Sequence, residues 1–189
     1  AVFSLLLLLV LSPLLIVLAV CVRLGSPGPV MFRQVRVTQY GKPFRIYKFR
    51  TMVANAEQLG SQVTTNRDSR VTGIGRFLRK YRLDELPQLL NILLGDMSFV
   101  GTRPEVPKYV ERYTDEMYAT LLLPAGVTSR ASIEYKDEER LLEASDSPDE
   151  VYVATVLPEK MKYNLESIRR FSLANDLGTI LQTVIAVFR

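Results

Sequence analysis

Hydrophobic and polar positions divide this chain sharply. Ala1 to Val22 carries no charge and is almost wholly apolar, whereas no later apolar run exceeds a few residues. As a straight helix that stretch is about 33 Å long, enough to cross a hydrocarbon core of roughly 30 Å. Ser12-Pro13 stands at its centre. Proline removes one helical hydrogen bond and clashes with the preceding turn, while a neighbouring serine hydroxyl can satisfy the freed carbonyl. Two topologies follow: a kinked helix that spans, or a re-entrant hairpin with halves of about 16 Å each that enters and leaves on one face. Length and hydropathy alone lean to spanning. No small-residue cleavage site follows the run, which argues against a signal peptide. The chain opens inside the apolar run without an initiator methionine, so an earlier natural start is expected.

After this segment the pattern shortens. Gly25-Ser26-Pro27-Gly28-Pro29 is a turn-rich exit. Val30 to Val37 and Phe44 to Phe49 predict two strands of a hairpin, with Gln39 to Pro43 as its turn. Val53 to Asp68 is polar and predicts a short helix followed by a loop. Gly73 and Gly75 precede a basic helix in which Arg76, Arg79, Lys80 and Arg82 form one side and Ile74, Phe77, Leu78 and Tyr81 the other. Next comes a helix with Asp84 near its N-cap, Pro87 in its first turn, an apolar run from Leu89 to Leu94 and Gly95 as its stop. Lys136 to Glu150 predicts a solvated acidic helix and loop, and Tyr163 to Phe171 and Leu177 to Phe188 predict amphipathic or apolar helices. Such stripes are more often core than membrane surface. At 189 residues the chain can bury one good core beside its membrane element.

Composition then removes whole chemistries. There is no histidine, so triads with an imidazole base and imidazole metal sites are excluded. The single cysteine, Cys21, lies in the apolar run and supports neither a disulfide framework nor a thiolate cluster. Carboxylate, amine, guanidinium and hydroxyl chemistry remains, and its natural cation is a hard, oxygen-seeking one such as Mg²⁺. The net charge is +4, but Arg23, Arg33, Arg36, Lys42, Arg45, Lys48 and Arg50 all come before the first acid, Glu57. That suits an anionic membrane face. Nucleic acid is not the expected partner, because the basic stretch adjoins the membrane segment and no nucleic-acid motif accompanies it.

The densest chemistry lies in Ser69 to Glu105, where arginines surround the adjacent acids Asp84 and Glu85. A carboxylate at a helix N-terminus favours its ionised form, and the same N–H groups can hold a phosphate oxygen. The plain alternative is that Asp84 is an N-cap worth about 1 kcal/mol and Glu85 a dipole partner. Guanidinium forks beside the pair, including Arg103 before Pro104, fit a phosphate pocket. Asp68 and Asp96 are competing structural partners for those cations.

The ordered motifs resemble those of the bacterial sugar transferases that act as polyprenyl-phosphate sugar-1-phosphate transferases, the monotopic phosphoglycosyl transferases. They are Leu11-Ser12-Pro13, Tyr47-Lys48-Phe49-Arg50-Thr51-Met52, Arg76 to Arg79, Leu83 to Gln88, Gly95 to Gly101, Arg103-Pro104, Pro124 to Thr128, and Ser172-Leu173 with Asp176. The resemblance implies transfer of sugar-1-phosphate from a nucleotide sugar, usually a UDP-sugar, to polyprenyl phosphate, usually undecaprenyl phosphate. It implies a covalent route in which Asp84 attacks phosphorus and nucleoside monophosphate leaves. Asp84 and Glu85 are the implied catalytic and Mg²⁺-binding residues, and Lys48, Arg50, Arg79, Gln88 and Arg103 the implied phosphate or substrate contacts.

The resemblance also shifts the topology toward a re-entrant helix broken at Ser12-Pro13, in a bacterial inner membrane with catalysis on the cytoplasmic face. The expected fold is α+β and predominantly helical: membrane helix 1–24, then a catalytic domain 25–189 with a small β-hairpin and amphipathic interfacial helices. Apolar helices leave room for a homodimer. Two departures stand out: Thr102 replaces a usual proline, which loosens the loop presenting Arg103, and Ser129-Arg130 replaces a glycine-containing continuation near the expected sugar pocket. The competing functions are a membrane-anchored module that binds phospholipid or nucleotide without turnover, and a metal-dependent phosphohydrolase.

Overall fold

The structure is a computed structural model and describes residues 1–59, 68–135, 142 and 147–187. It is mostly helical with two small sheets. Helix α1 runs unbroken from Val2 to Gly25, with Pro13 inside it, and is long and apolar enough to cross a membrane. The expected break at Ser12-Pro13 is therefore not an interruption of the helix. Pro13 has no N–H for the carbonyl of Leu9, and the Ser12 hydroxyl donates to that carbonyl at 2.8 Å instead.

Helix α1 does not stand away from the rest of the chain. Leu18 and Val22 pack with Phe49 and Leu78, and Leu7, Leu8 and Leu11 pack on the cluster of Phe44, Ile46, Leu89 and Ile92. At its start the buried Ser4 hydroxyl donates to the carbonyl of Leu89 at 2.5 Å, and Phe3 lies 5.5 Å from Phe99 between ring centres. Its opposite side exposes Leu6, Leu9, Val10, Ile16, Val17 and Val20.

The hairpin forms as the pattern requires. Strands β1 (Met31–Val37) and β2 (Pro43–Phe49) pair antiparallel, with Met31 opposite Phe49 and Val37 opposite Pro43. Tyr40 and Gly41 close the turn with positive φ. Helix α2 (Gly73–Lys80) is capped by the Thr72 hydroxyl, which accepts from the Gly75 N–H at 3.0 Å. Gly75 is required there, because a Cβ would sit 2.0 Å from the carbonyl oxygen of Thr51. Of the segment Val53 to Asp68, Ala56–Gln58 forms a 3-10 turn and 60–67 lies outside the described residues.

The acid pair sits on a 3-10 segment, Leu83–Gln88, that leads into α3 (Leu89–Leu94) and ends at Gly95 in the left-handed region. The polar-to-apolar switch and the glycine stop are as expected, but the cap is not. Arg82, with φ of 51°, occupies the cap position, and Asp84 caps nothing. Asn91 on α3, fully buried, locks the segment to β2 by accepting from the Tyr47 N–H and donating to the Arg45 carbonyl, both at 2.9 Å.

Strands β3 (Met97–Val100) and β4 (Ala125–Thr128) form a parallel pair that the alternation of residues did not reveal. Between them come two short helices, α4 (Pro107–Val110) and α5 (Asp115–Tyr118). After β4 follow α6 (Arg130–Glu134), α7 (Pro148–Val151), a π-helical stretch Tyr152–Val156, α8 (Leu157–Arg169) and α9 (Leu173–Val187). A second core of Val106, Tyr109, Tyr113, Leu142, Tyr152, Leu157 and Met161 joins them. Most of the expected acidic helix, 136–141 and 143–146, lies outside the described residues.

Candidate active site

Strand β2 brings Lys48 to the 3-10 segment, and the loop after β3 brings Arg103 to the same place. Lys48 Nζ lies 2.9 Å from Glu85 Oε1, Arg103 Nη2 lies 2.5 Å from that oxygen, and Arg103 Nη1 lies 3.3 Å from Oε2. Arg82 adds a looser contact to Oε2 at 3.9 Å. Burial raises the Glu85 pKa, but Arg103, Lys48 and Arg82 outweigh it and hold the carboxyl well below the usual range. Lys48 is also held below its ordinary value: burial lowers its pKa, Glu85 partly restores it, and Arg103 lowers it further.

Asp84 differs from its neighbour. It is buried like Glu85, yet its carboxylate has no hydrogen bond or ion pair among the described residues. Burial, then the charge of Glu85, raises its pKa above the ordinary aspartate value, with Lys48, Arg79 and Arg103 opposing. This corrects the direction expected from a helix N-terminus, because Asp84 is not at the cap. Among the described residues Asp84 is thus a buried acceptor beside a cluster of cations with nothing bonded to it.

The other expected contacts separate. Arg79 Nε donates to Thr51 Oγ1 at 3.2 Å, at the edge of the cluster. Gln88 is 1% exposed and its Nε2 has no partner among the described residues, one turn beyond Asp84. Arg50 lies elsewhere: it donates to the Pro29 carbonyl at 2.6 Å, to Ser26 Oγ at 2.5 Å and to the Ser26 carbonyl at 2.8 Å. Its guanidinium fastens the exit of α1 to the hairpin. Asp68 is taken by Arg70, at 2.6 Å, and feels the charge of Arg79 more weakly.

The loop carrying Arg103 is held firmly despite Thr102. Gly101 N–H donates to the Thr128 carbonyl at 3.0 Å, and Gly126 N–H donates to the Thr102 carbonyl at 2.9 Å. A Cβ on Gly126 would lie 2.1 Å from the Gly101 nitrogen, so only glycine allows this crossing. Beyond it, Arg36 donates to the Pro104 carbonyl at 3.1 Å, and the buried Glu105 accepts from Tyr152 Oη at 2.5 Å. Arg36 and Arg82 were not singled out by sequence. Their only advance signal was membership of basic runs, because the backbone turn that aims Arg82 at Glu85 is invisible in residue type.

Among the described residues, no group of three or more acids or cysteines converges as a metal site. Asp84 is an uncommitted oxygen donor, whereas both oxygens of Glu85 already face cations. Mg²⁺ commonly takes one or two carboxylates and completes its shell with substrate phosphates and water. The donor set fits a cation that arrives with a phosphate and not one held in a protein cage.

The profile of the family described as bacterial sugar transferase matches residues 1–189. The UDP-N-acetylgalactosamine-undecaprenyl-phosphate N-acetylgalactosaminephosphotransferase of Aeromonas hydrophila is 39% identical over 177 residues, which is 92% of this chain and 38% of the relative. The UDP-glucose:undecaprenyl-phosphate glucose-1-phosphate transferase of Escherichia coli K12 is 38% identical, covering 99% of this chain and 39% of the relative. The undecaprenyl-phosphate galactose phosphotransferase of Salmonella typhimurium is 34% identical, covering 98% and 39%. The chain thus spans about two fifths of the length of these relatives.

Proposed function

The chain belongs to the bacterial sugar transferase family, and from that premise we propose that it moves a sugar-1-phosphate from a nucleotide sugar to undecaprenyl phosphate through a covalent phosphosugar on Asp84. The three relatives above are named for transfer to undecaprenyl phosphate, and two of those names carry a UDP-sugar. The observation that supports the route is the unpaired, buried Asp84 beside a Glu85 neutralised by Lys48 and Arg103.

In the first step an oxygen of Asp84 attacks the phosphorus that bears the sugar. The bond to the departing nucleoside monophosphate breaks, and that group leaves with the electron pair. In the second step an oxygen of the lipid phosphate attacks the same phosphorus, and Asp84 departs as the free carboxylate. No histidine base is needed, because Asp84 acts ionised and a phosphate monoester with a second pKa of about 6 is already largely ionised at neutral pH. Repulsion between anions is the obstacle, and Lys48, Arg79 and Arg103 offset it. Mg²⁺, held by Asp84 and the phosphates, would supply further charge neutralisation. Glu85 keeps Lys48 and Arg103 in place and acts as a positioning residue.

Helix α1 attaches this site to the cytoplasmic face of the inner membrane without carrying its N-terminal half away. Contacts of Phe3 and Ser4 with Phe99 and Leu89, at the far end from Val22, support entry and exit on one face. Intact-mass measurement of the purified chain with a nucleotide sugar and Mg²⁺, before any lipid is added, tests the route. A phosphosugar adduct on a peptide containing Asp84 is expected. Bulk release of nucleoside monophosphate without polyprenyl phosphate would instead mark a hydrolase.

A further inference from the structure

Helix α9 is inside out. Leu173, Leu177, Leu181 and Val184, spaced on one side, are all more than half exposed, while Asp176, Thr179 and Gln182 line a cavity between this helix and the body. A helix on a water-soluble core has the reverse arrangement. The cavity is about 630 Å³ and is walled on its other side by Ser98, Gly101 and Thr102 of the β3 strand and loop, with Asn164 and Ser167 of α8. A 2.6 Å hydrogen bond between the hydroxyls of Thr183 and Thr128 ties the helix to the sheet.

The charge in this cavity is unsuited to phosphate. Its cations, Arg130 and Arg170, both face Glu166, at 3.8 and 3.3 Å. Glu134 and Asp176 then remain as anions with no ion pair among the described residues. Ser167 and Thr179 donate to carbonyls one turn back, at 2.8 and 2.9 Å, which leaves their oxygens free to accept. Such a wall of acceptors with a few amides suits a neutral polyol whose hydroxyls donate.

The cavity lining adjoins two of the cations that hold Glu85. Thr102 in its wall is followed by Arg103, which grips Glu85, and Arg82 of the acid-pair segment donates at 3.2 Å to the carbonyl of Ser132, between Arg130 and Glu134.

We propose that this cavity binds the hexose ring of the nucleotide sugar, with Asp176, Thr179 and Gln182 contacting its hydroxyls and determining which sugar is accepted. The assignment rests on the transferase reading above. It gives a task to Asp176, a carboxylate whose pKa burial alone raises.

The test uses the full chain in detergent micelles and measures nucleoside monophosphate release from a panel of nucleotide hexoses that includes UDP-glucose, UDP-galactose and UDP-N-acetylgalactosamine. Asp176→Asn and Thr179→Val should each raise KM for the preferred donor, Asp176→Asn by about tenfold as befits a lost hydrogen bond to a charged group. The order of preference among donors should change. Inhibition by UDP, which lacks the sugar, should stay within about twofold and also reports that each variant is folded. Unchanged KM and preference overturn the assignment, as does an equal weakening of donor and UDP, which would place the nucleotide in the cavity. A wild-type chain that turns over no donor overturns the transferase reading itself, and with it this one.

Discussion

The acid-pair segment and the cavity under α9 are linked through Thr102-Arg103 and through Arg82, yet their charges follow opposite rules. Around Asp84 and Glu85 the cations Lys48, Arg79, Arg82 and Arg103 outnumber the acids. In the cavity Arg130 and Arg170 share Glu166, and Glu134 and Asp176 leave the lining with more acids than cations. A surplus of cations is what phosphate needs, whereas an acceptor-rich wall without that surplus discriminates among neutral hydroxyl groups. If that division is real, the largest effect must come from the one group assigned to bond making. Asp84→Asn should lower turnover by about 10⁴-fold or more while leaving nucleotide-sugar affinity within a few-fold, as removal of a nucleophile does. Single-turnover kinetics beside equilibrium binding separate the two. Equal loss of both would make Asp84 a binding residue.

Glu85→Gln sharpens the contrast between neighbours. The substitution removes the shared partner of Lys48 and Arg103, whose side chains are 15% and 28% exposed, and breaking a largely buried pair costs about 3 kcal/mol. Thermal unfolding should show it. The pH dependence carries a definite sign. Glu85 has a depressed folded pKa, so its stabilisation is present above the usual glutamate value near 4.5 and is lost as pH falls through the folded one. Asp84 has a raised pKa, so turnover should fall as pH falls through a value above the ordinary aspartate 3.8. Because the charge of Glu85 contributes to that rise, the acid limb of residual activity in Glu85→Gln should move to lower pH. An unmoved limb would detach Asp84 from the titration.

Gly126→Ala strikes both regions at once. Its Cβ would meet the Gly101 nitrogen at 2.1 Å, forcing apart the strands that hold Thr102 in the cavity wall and Arg103 on Glu85. A loss of about 2 kcal/mol is expected from such overpacking, with weaker donor binding. Retained stability would mean that the crossing is looser than its two backbone hydrogen bonds indicate.

The hairpin, the basic helix and the Gly95 stop were legible because each is written in local residue types: short apolar runs around a turn, cations and apolar residues on opposite sides of a helix, a glycine after one. The ordered motifs named the acid pair with Lys48, Arg79 and Arg103, and the structure gathers these side chains in one place. What escaped depends on long-range geometry. The β3–β4 pair is four residues per strand and joins segments separated by two helices, so no period announces it. Arg50 looked like a phosphate ligand by type, but three carbonyl or hydroxyl groups around Ser26 and Pro29 claim it. The pKa direction at Asp84 was misjudged for a related reason: a single left-handed residue, Arg82, moved the helix start and left the acid buried.

The smallest expected effect bears on how either region meets the membrane. Apolar length favours a spanning α1, but spanning would carry Ser4 to the far side of the bilayer from Leu89. In the structure the Ser4 hydroxyl is fully buried and donates to the Leu89 carbonyl, immediately after the 3-10 segment that bears Asp84. Ser4→Ala removes one buried hydrogen bond, worth about 1 kcal/mol, and should lower the melting temperature by about 2–4 °C in a chain of this size. A spanning helix would leave the melting temperature unchanged. The same question can be asked chemically in a Cys21→Ala background, where Val2→Cys supplies the sole thiol. In inverted inner-membrane vesicles a membrane-impermeant maleimide should label that thiol, on the side where nucleotide sugar is consumed. Labelling only in right-side-out vesicles would separate the start of α1 from the catalytic face and remove the Ser4 contact from the active protein.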